Sequence, residues 1–287
     1  MNDYSKQKAL SLEIKYVNVP GLEKGVTKTG QDAVMIRKIK VNNIEYNVFG
    51  VFDGHGDHGH HLSSFIRKNL ILVFKHFLKK DQHSLKKVIN LTIEYLNDRI
   101  AVISKEYNKR SSFENIPSDK NFNAEKSGTT CVLTIITQGQ IYSVSLGDSR
   151  ALIGVLDRTT NPDKPFFVPV QITVEHNTSN KKEQQRVISK GGLIKQYTNE
   201  HGKLVGPLRV WNSEERYPGL VVTRSFGDLI GKKCGISGTA VILQKTIISA
   251  FKCLVIGSDG LWDMLDNFET LEKIYFSGRI NVSTFSL

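Results

Sequence analysis

Five aspartates stand where apolar runs end or where the chain turns tightly. Asp53 follows the apolar run of residues 48–52 and precedes Gly54, and Asp259 follows the apolar run that starts at Cys253. The other three are Asp32, Asp148 and Asp263. Each Asp-Gly pair taken alone is typical of an ordinary turn. Gathered in one place, five carboxylates would repel one another unless hard cations such as Mg²⁺ or Mn²⁺ neutralised them. Spacing alone leaves open whether they converge.

A second set of possible ligands follows in a histidine-rich stretch that contains His55, His58, His60 and His61. Such a tract can bind zinc or copper. However, the loop is rich in glycine, its histidines lack a preset tetrahedral spacing, and no paired cysteines accompany them. A zinc hydrolase is therefore a lower-ranked alternative to a carboxylate site for harder cations.

The elements that must hold these residues follow from the periodicity of the apolar positions. A strand is predicted at residues 31–36, and a turn at residues 42–43 predicts a hairpin over 40–52. Apolar residues at three- and four-residue spacing predict helices over 62–77 and 85–103. Asn180 with Glu183 indicates a capping box that opens a short helix ending at residues 191–192. The remaining predictions are strands at 129–137, 140–146, 150–156, 170–174, 221–228, 239–248 and 253–256, loops at 105–126 and 161–169, and a helix at 267–276.

Composition is that of an ordinary globular protein, with 39% hydrophobic and 23% charged residues in 287, and it predicts one domain over 1–287. The net charge of +11 comes from dispersed lysines. This argues against nucleic-acid binding and favours a basic surface that attracts phosphorylated or acidic substrates. No apolar stretch is long enough for a bilayer, so no membrane partner is expected. Three widely spaced cysteines predict buried thiols and a cytoplasmic or nuclear protein.

Five segments occur in the order found in the metal-dependent serine/threonine protein phosphatases of the PP2C type (the PPM family), which the chain resembles over roughly residues 25–265. Five ordered motifs are far more specific than any one alone. They are residues 51–56 (VFDGHG), 127–130 (SGTT), 147–151 (GDSRA), 223–228 (TRSFGD) and 258–263 (SDGLWD). Glu183, Arg186 and residues 191–192 also match the family's short helix, and residues 209–220 resemble its plant and protist branches.

The resemblance implies an α+β fold, in which a central sandwich of two antiparallel β-sheets is flanked by α-helices in four αββα layers. It implies two Mn²⁺ or Mg²⁺ ions at one end of the sandwich, and a third that is weakly bound. Asp53 would bridge the two ions, with the Gly54 carbonyl as a further ligand. Asp259 would bind one ion directly and Asp32 the other through water. The looser third site would use Asp148, Asp263 and Asp259.

The reaction that the resemblance implies is hydrolysis of phosphoserine and phosphothreonine in proteins by a metal-bridging water. His55, next to the metal ligands, is the candidate general acid for the serine or threonine leaving group. Asp53 and His55 are thus the predicted catalytic residues, and phosphorylated proteins are the predicted substrates.

Three departures from the family pattern lead to an alternative function. Thr27 stands where the family usually has a phosphate-binding arginine, which leaves Lys28 as the candidate, and lysine meets phosphate only as a point charge. The usual Pro-Glu is missing around residues 239–241, and no aspartate follows Asp266. The C-terminal strand and the last metal-ligand motif of the domain are therefore expected to be missing. The alternative is a catalytically impaired relative that acts as a phosphoprotein-binding or regulatory module.

Overall fold

The computed structural model describes residues 12–23, 26–27, 29–80, 84–109, 122–158, 166–214 and 216–276. The strands in this part are β1 (Leu22–Glu23), β2 (Val26–Thr27), β3 (Ala33–Val41), β4 (Ile44–Phe52), β5 (Gly54–His55), β6 (Gly128–Thr129), β7 (Cys131–Thr137), β8 (Gln140–Leu146), β9 (Arg150–Asp157), β10 (Phe166–Gln171), β11 (Leu193–Thr198), β12 (Leu204–Trp211), β13 (Pro218–Leu220), β14 (Phe226–Gly227), β15 (Val241–Thr246) and β16 (Phe251–Gly257). The helices are α1 (Gly59–Lys80), α2 (Leu85–Lys109), α3 (Lys181–Ser189), α4 (Leu229–Lys232), α5 (Asp259–Trp262) and α6 (Asn267–Phe276).

The larger sheet has five antiparallel strands in the order β15-β8-β7-β4-β3. Its β3–β4 hairpin turns at residues 42–43, which both have positive φ, as a tight hairpin turn requires. The register pairs Ala33 with Phe52. Asp32 precedes the first of these residues and Asp53 follows the second, so both aspartates leave the same end of the sheet. The predicted hairpin is confirmed.

The smaller sheet has the order β10-β9-β16 and brings a second pair of aspartates to its edge. Gly257 pairs with Arg150 across antiparallel strands. Asp148 therefore lies just before β9 and Asp259 just after β16, at one edge. Strand β8 runs in the same direction as β4, because both pair antiparallel with β7. Since β8 leads through Asp148 into β9, the aspartate edges of the two sheets lie at the same end of the molecule.

Four layers bury three apolar interfaces, and the predicted α+β sandwich is confirmed. Helices α1 and α2 cover the outer face of the larger sheet, where Leu62 and Phe52 belong to the same core. Val132 and Ile153 lie in the core between the two sheets. Trp262 and α6 pack with the outer face of the smaller sheet. Strand β9 contributes to two of these interfaces because successive side chains of a strand point to opposite faces.

One predicted strand, over residues 221–228, is wrong. Its backbone groups bond to several separate segments: Thr223 N–H donates to the carbonyl of His176, and Ser225 N–H donates to that of Ser237. Only the short β14 pairs regularly, with β6. The segment is buried, so its apolar pattern resembles a strand, but it threads between elements and no single strand lies alongside it.

A small antiparallel sheet of β11, β12 and β13 was not predicted from the sequence. Most of its side chains are exposed or half-buried, so the alternation of apolar and polar residues that signals a strand is weak there. The predicted loop at 161–169 overlaps the start of β10, and helix α2 extends to Lys109, into the predicted loop at 105–126. Residues 110–121 of that loop lie outside the described part of the chain.

Half of the predicted capping box is confirmed. The Asn180 side chain accepts a hydrogen bond from Lys182 N–H at 3.1 Å and caps α3 as predicted. Glu183 does not return to the cap, because arginines and a threonine hold its carboxylate. None of the described helices is long and apolar enough to cross a bilayer.

Candidate active site

Hydrogen bonds of its main chain hold Asp53 in place. Its N–H donates to Thr130 Oγ1 at 3.1 Å, and its carbonyl accepts from Thr130 N–H at 2.8 Å. The Thr130 hydroxyl in turn lies 2.7 Å from that of Ser149. This chain of contacts ties the end of β4 to the start of β9. It therefore sets Asp53 between the two sheets.

The acidic side chains that leave the two sheets meet around Asp53. Its carboxyl is within hydrogen-bonding reach of the carboxyl of Asp259, and both Asp32 and Asp148 are close enough to act on it electrostatically. Ser258 Oγ donates to Asp32 Oδ2 at 2.7 Å, which draws the start of β3 to the residue before Asp259. Four of the five predicted aspartates thus converge, as the cation hypothesis requires.

The electrostatics of this cluster show uncompensated negative charge. Burial raises the pKa of Asp53, and the neighbouring carboxylates of Asp259, Asp32 and Asp148 raise it further. Burial and Asp259 also raise the pKa of Asp148, to about 6. Because burial and like charges act in the same direction, the metal-free site disfavours full ionisation. A bound cation would reverse this balance.

The donor set fits a hard divalent cation that retains much of its water. Among the described residues, no three His, Cys, Asp or Glu side chains are arranged to hold one ion. Mg²⁺ is commonly held by one or two carboxylates and completes its shell with water. The adjoining carboxylates of Asp53 and Asp259 meet that requirement. At Gly54 an added Cβ would approach the Gly59 carbonyl oxygen to 2.5 Å, so only glycine fits this turn beside the carboxylates.

His55 lies at the edge of the cluster and is held by a residue that was given no role from the sequence. Its Nε2 is 2.7 Å from Asp228 Oδ2. Burial lowers the pKa of His55, but the Asp228 carboxylate outweighs burial, and the pKa lies above its ordinary value. The ring also interacts electrostatically with Asp148. The predicted general acid is therefore next to the acidic cluster.

One predicted site residue, Asp263, faces away from this group, and a second, Lys28, cannot be placed. Asp263 is one helical turn after Asp259, and its N–H donates to the Asp259 carbonyl at 2.8 Å, while its side chain is exposed. Lys28, the candidate for phosphate binding, lies outside the described residues. Thr27 is described and exposed at the end of β2.

The histidine tract forms ring contacts at the start of α1. The His60 and His61 ring centroids are 3.9 Å apart, and those of His58 and His61 are 5.8 Å apart. His58 also makes an edge contact with Tyr107. With no three-ligand group in the described part of the chain, this arrangement gives the zinc alternative no support.

Three positioning residues escaped prediction: Asp228, Ser258 and Thr130. Each belongs to a motif recognised in the sequence, yet the motif does not reveal which side chain it contacts. Asp228 and His55 are 173 positions apart. A contact of that kind depends on the path of the buried segment at 221–228, which was predicted as a strand.

The chain is similar in sequence and in fold to known proteins. The sequence pattern of protein phosphatase 2C matches residues 24–274. Probable protein phosphatase 2C 73 of Arabidopsis thaliana is 28% identical over 289 residues, which cover 96% of this chain and 75% of that protein. Probable protein phosphatase 2C 72 of the same organism is 30% identical over 238 residues, covering 82% and 66% respectively. The fold is similar to that of serine-threonine phosphatase 2C from Toxoplasma gondii, with a TM-score of 0.63, 17% identity, and coverage of 92% of this chain and 87% of that one.

The four-layer sandwich of this chain therefore has the same fold as that phosphatase. Because the matched pattern covers most of the residues, the chain belongs to the protein phosphatase 2C family. It spans two thirds to three quarters of the length of the two plant relatives.

Proposed function

We propose that this chain hydrolyses phosphoserine and phosphothreonine in proteins and depends on Mn²⁺ or Mg²⁺. The observation that carries the proposal is the convergence of Asp53, Asp259, Asp32 and Asp148 beside His55. Divalent cations, when bound there, neutralise the carboxylates and supply an acidified water and a charge partner for phosphate. Asp53 and Asp259 would hold them, with the Gly54 carbonyl, and Asp32 and Asp148 would act from the periphery.

The residues of the chain have separate tasks in this reaction. The hydrogen bonds to Thr130 hold Asp53 in place through its main chain, so the carboxylate is not used for anchoring. His55 gives a proton to the seryl or threonyl oxygen as its bond to phosphorus breaks. No phosphorylated enzyme intermediate is needed, because water is the nucleophile.

A second candidate, a phosphoprotein-binding relative without turnover, is favoured by two observations. Position 27 is threonine, so the fork-shaped phosphate contact of an arginine is missing there. In addition, the carboxylates of the described residues form no three-ligand group. This candidate would bind phosphopeptides through cations held at the acidic end, without cleaving them.

One set of assays separates these functions. Hydrolysis of an aryl phosphate is followed with Mn²⁺, with Zn²⁺ and with chelator, for the wild type, for Asp53→Asn and for Asp98→Asn, an exposed control on α2. We expect Mn²⁺-dependent turnover that falls at least ~10²-fold in Asp53→Asn, the scale seen when one electrostatic stabiliser is removed, and stays unchanged in the control. Phosphopeptide binding without turnover would establish the second candidate instead. Turnover with Zn²⁺ alone would contradict both.

A second readout does not depend on activity. Mn²⁺ should stabilise the wild type against urea by about 2.7 kcal/mol at a hundredfold excess over its Kd. Asp53→Asn should lose most of this stabilisation, whereas Asp98→Asn should keep it. Equal stabilisation of all three proteins would place the cation elsewhere.

A further inference from the structure

We propose that Asp228 is the positioning residue of the phosphatase reaction, which aims His55 at the leaving group and determines that the ring acts through Nδ1. This inference rests on the proposed function for its catalytic meaning. It goes further because it names the residue that makes His55 usable as an acid, and the ring atom involved.

The first support is the contact itself. Asp228 Oδ2 lies 2.7 Å from His55 Nε2, and the Asp228 side chain is only 1% exposed, whereas 23% of the His55 side chain is exposed. One ring nitrogen is therefore occupied by a buried carboxylate. Nδ1 is the nitrogen left for a substrate. A hydrogen bond at one nitrogen of histidine fixes the ring orientation and the state of the other nitrogen.

The second support is that Asp228 does not do what its position in the chain predicts. It occupies the N-cap of α4, yet its carboxylate makes no capping bond. Its backbone is left-handed, with φ of 47°, a conformation that aspartate adopts more readily than most residues other than glycine. Instead of capping the helix, the carboxylate contacts His55.

The third support is the set of contacts that hold the carboxylate. Ser225 Oγ donates to Asp228 Oδ2, the same oxygen that contacts the histidine. Lys232 Nζ donates to the Ser225 carbonyl at 2.6 Å and lies near enough to Asp228 to interact electrostatically. Oδ1 is buried and has no hydrogen-bond partner among the described residues. All of the polar contacts of the carboxylate thus converge on the oxygen that orients His55.

The fourth support is the space around the pair. A Cβ at Gly128 would lie 2.2 Å from Asp228 Oδ2 and 2.6 Å from His55 Nε2. The backbone of β6 therefore passes directly against the contact, and any side chain there would push the two groups apart. Gly128→Ala offers a way to separate the pair while both side chains remain.

The chemical step is a single proton transfer. Water forms the new bond to phosphorus, and the bond from phosphorus to the seryl or threonyl oxygen breaks with its electron pair on that oxygen. The Nδ1 proton of His55 then completes the alcohol. The attacking water releases one proton to solvent, and His55 takes up one proton from solvent before the next turnover, so the protons balance. The leaving group of an aryl phosphate is a weak base, so its departure needs little protonation by His55.

The leaving group therefore provides the test. Rates are measured with Mn²⁺ on a phosphothreonine peptide and on p-nitrophenyl phosphate, for the wild type, Asp228→Asn, Gly128→Ala, His55→Gln and the exposed control Asp98→Asn. General acid catalysis contributes typically ~10²–10⁴-fold, so His55→Gln should lose about that factor on the peptide. Asp228→Asn and Gly128→Ala should lose at least ~10-fold more on the peptide than on the aryl phosphate. In a His55→Gln background, Asp228→Asn should add no further peptide-specific loss.

Each outcome decides the inference. Equal losses on both substrates, or a full additional loss in the double variant, would show that Asp228 is merely structural and would overturn the proposal while leaving the phosphatase function intact. If the wild type cleaves neither substrate, the proposed function fails. The NMR spectrum of the His55 ring then tests the contact with Asp228 by itself. The ¹⁵N–¹H spectrum should show a slowly exchanging His55 Nε2–H that disappears in Asp228→Asn. Its absence from the wild type would refute the positioning role.

Discussion

Two carboxylate sites of this molecule, one around the buried Glu183 and one around the half-buried Asp53, differ in what surrounds them. Glu183 receives bonds from Arg224 Nη2 at 2.7 Å, from Arg186 Nη2 at 2.6 Å and from the Thr223 hydroxyl at 2.9 Å. Burial pushes its pKa up, but these donors outweigh burial and hold the pKa at about 2. Asp53 is surrounded by other carboxylates, and its pKa is raised.

The comparison shows how a structural acid differs from a cation site. The Glu183 site carries its counter-charges within the chain, so it links α3 to the segment around Thr223 without a ligand. The neighbours that act on Asp53 are carboxylates, so a bound cation would have to supply the counter-charge. Buried charges without partners are costly, and a fold that assembles several carboxylates at the ends of rigid strands is therefore expected to take up a cation.

The largest expected effect comes from breaking the paired site. Glu183→Gln should lower the free energy of unfolding by about 3–5 kcal/mol, because it leaves two partly buried arginines without their carboxylate. Urea denaturation measures the change, with Glu272→Gln on the exposed face of α6 as the matched control. A loss below about 1 kcal/mol, as for a surface ion pair, would mean that the network is not a stabilising unit.

The pH dependence of stability sharpens the same contrast. The pKa of Glu183 falls from an ordinary 4.5 to about 2 on folding, so the folded state favours the charged form. Its contribution, about 3 kcal/mol, is complete above the unfolded pKa and is lost as the pH falls from about 4.5 toward 2. The difference in unfolding free energy between the wild type and Glu183→Gln should shrink over that window. A difference independent of pH would contradict the pairing.

What the sequence could predict is what local chemistry determines. The hairpin of β3 and β4, both long helices and the aspartates at the strand ends follow from periodicity and turn residues. The antiparallel registers then convert neighbouring positions into shared edges, as for Ala33 with Phe52. Family resemblance supplied the arrangement of two sheets between layers of helices and the expected role of each aspartate.

What could not be predicted depends on where buried polar groups find partners. Glu183 was predicted to close a capping box, yet Arg224 lies 41 positions away and takes its carboxylate. The segment around Thr223 was predicted as a strand from its strand-like sequence, although its hydrogen bonds go to several partners. Such contacts come from tertiary packing, which no local pattern encodes.

The smallest expected effect gives the most direct comparison of the two carboxylate sites. In metal-free buffer, Asp53→Asn should raise the free energy of unfolding by about 1 kcal/mol, because it removes one of several carboxylates that repel one another. The same type of change at Glu183 is destabilising. Urea denaturation with chelator present measures both variants beside Asp98→Asn, which should not shift. Destabilisation by Asp53→Asn would show that the acidic end is already neutralised within the chain, and the argument for a cation there would lose its electrostatic basis.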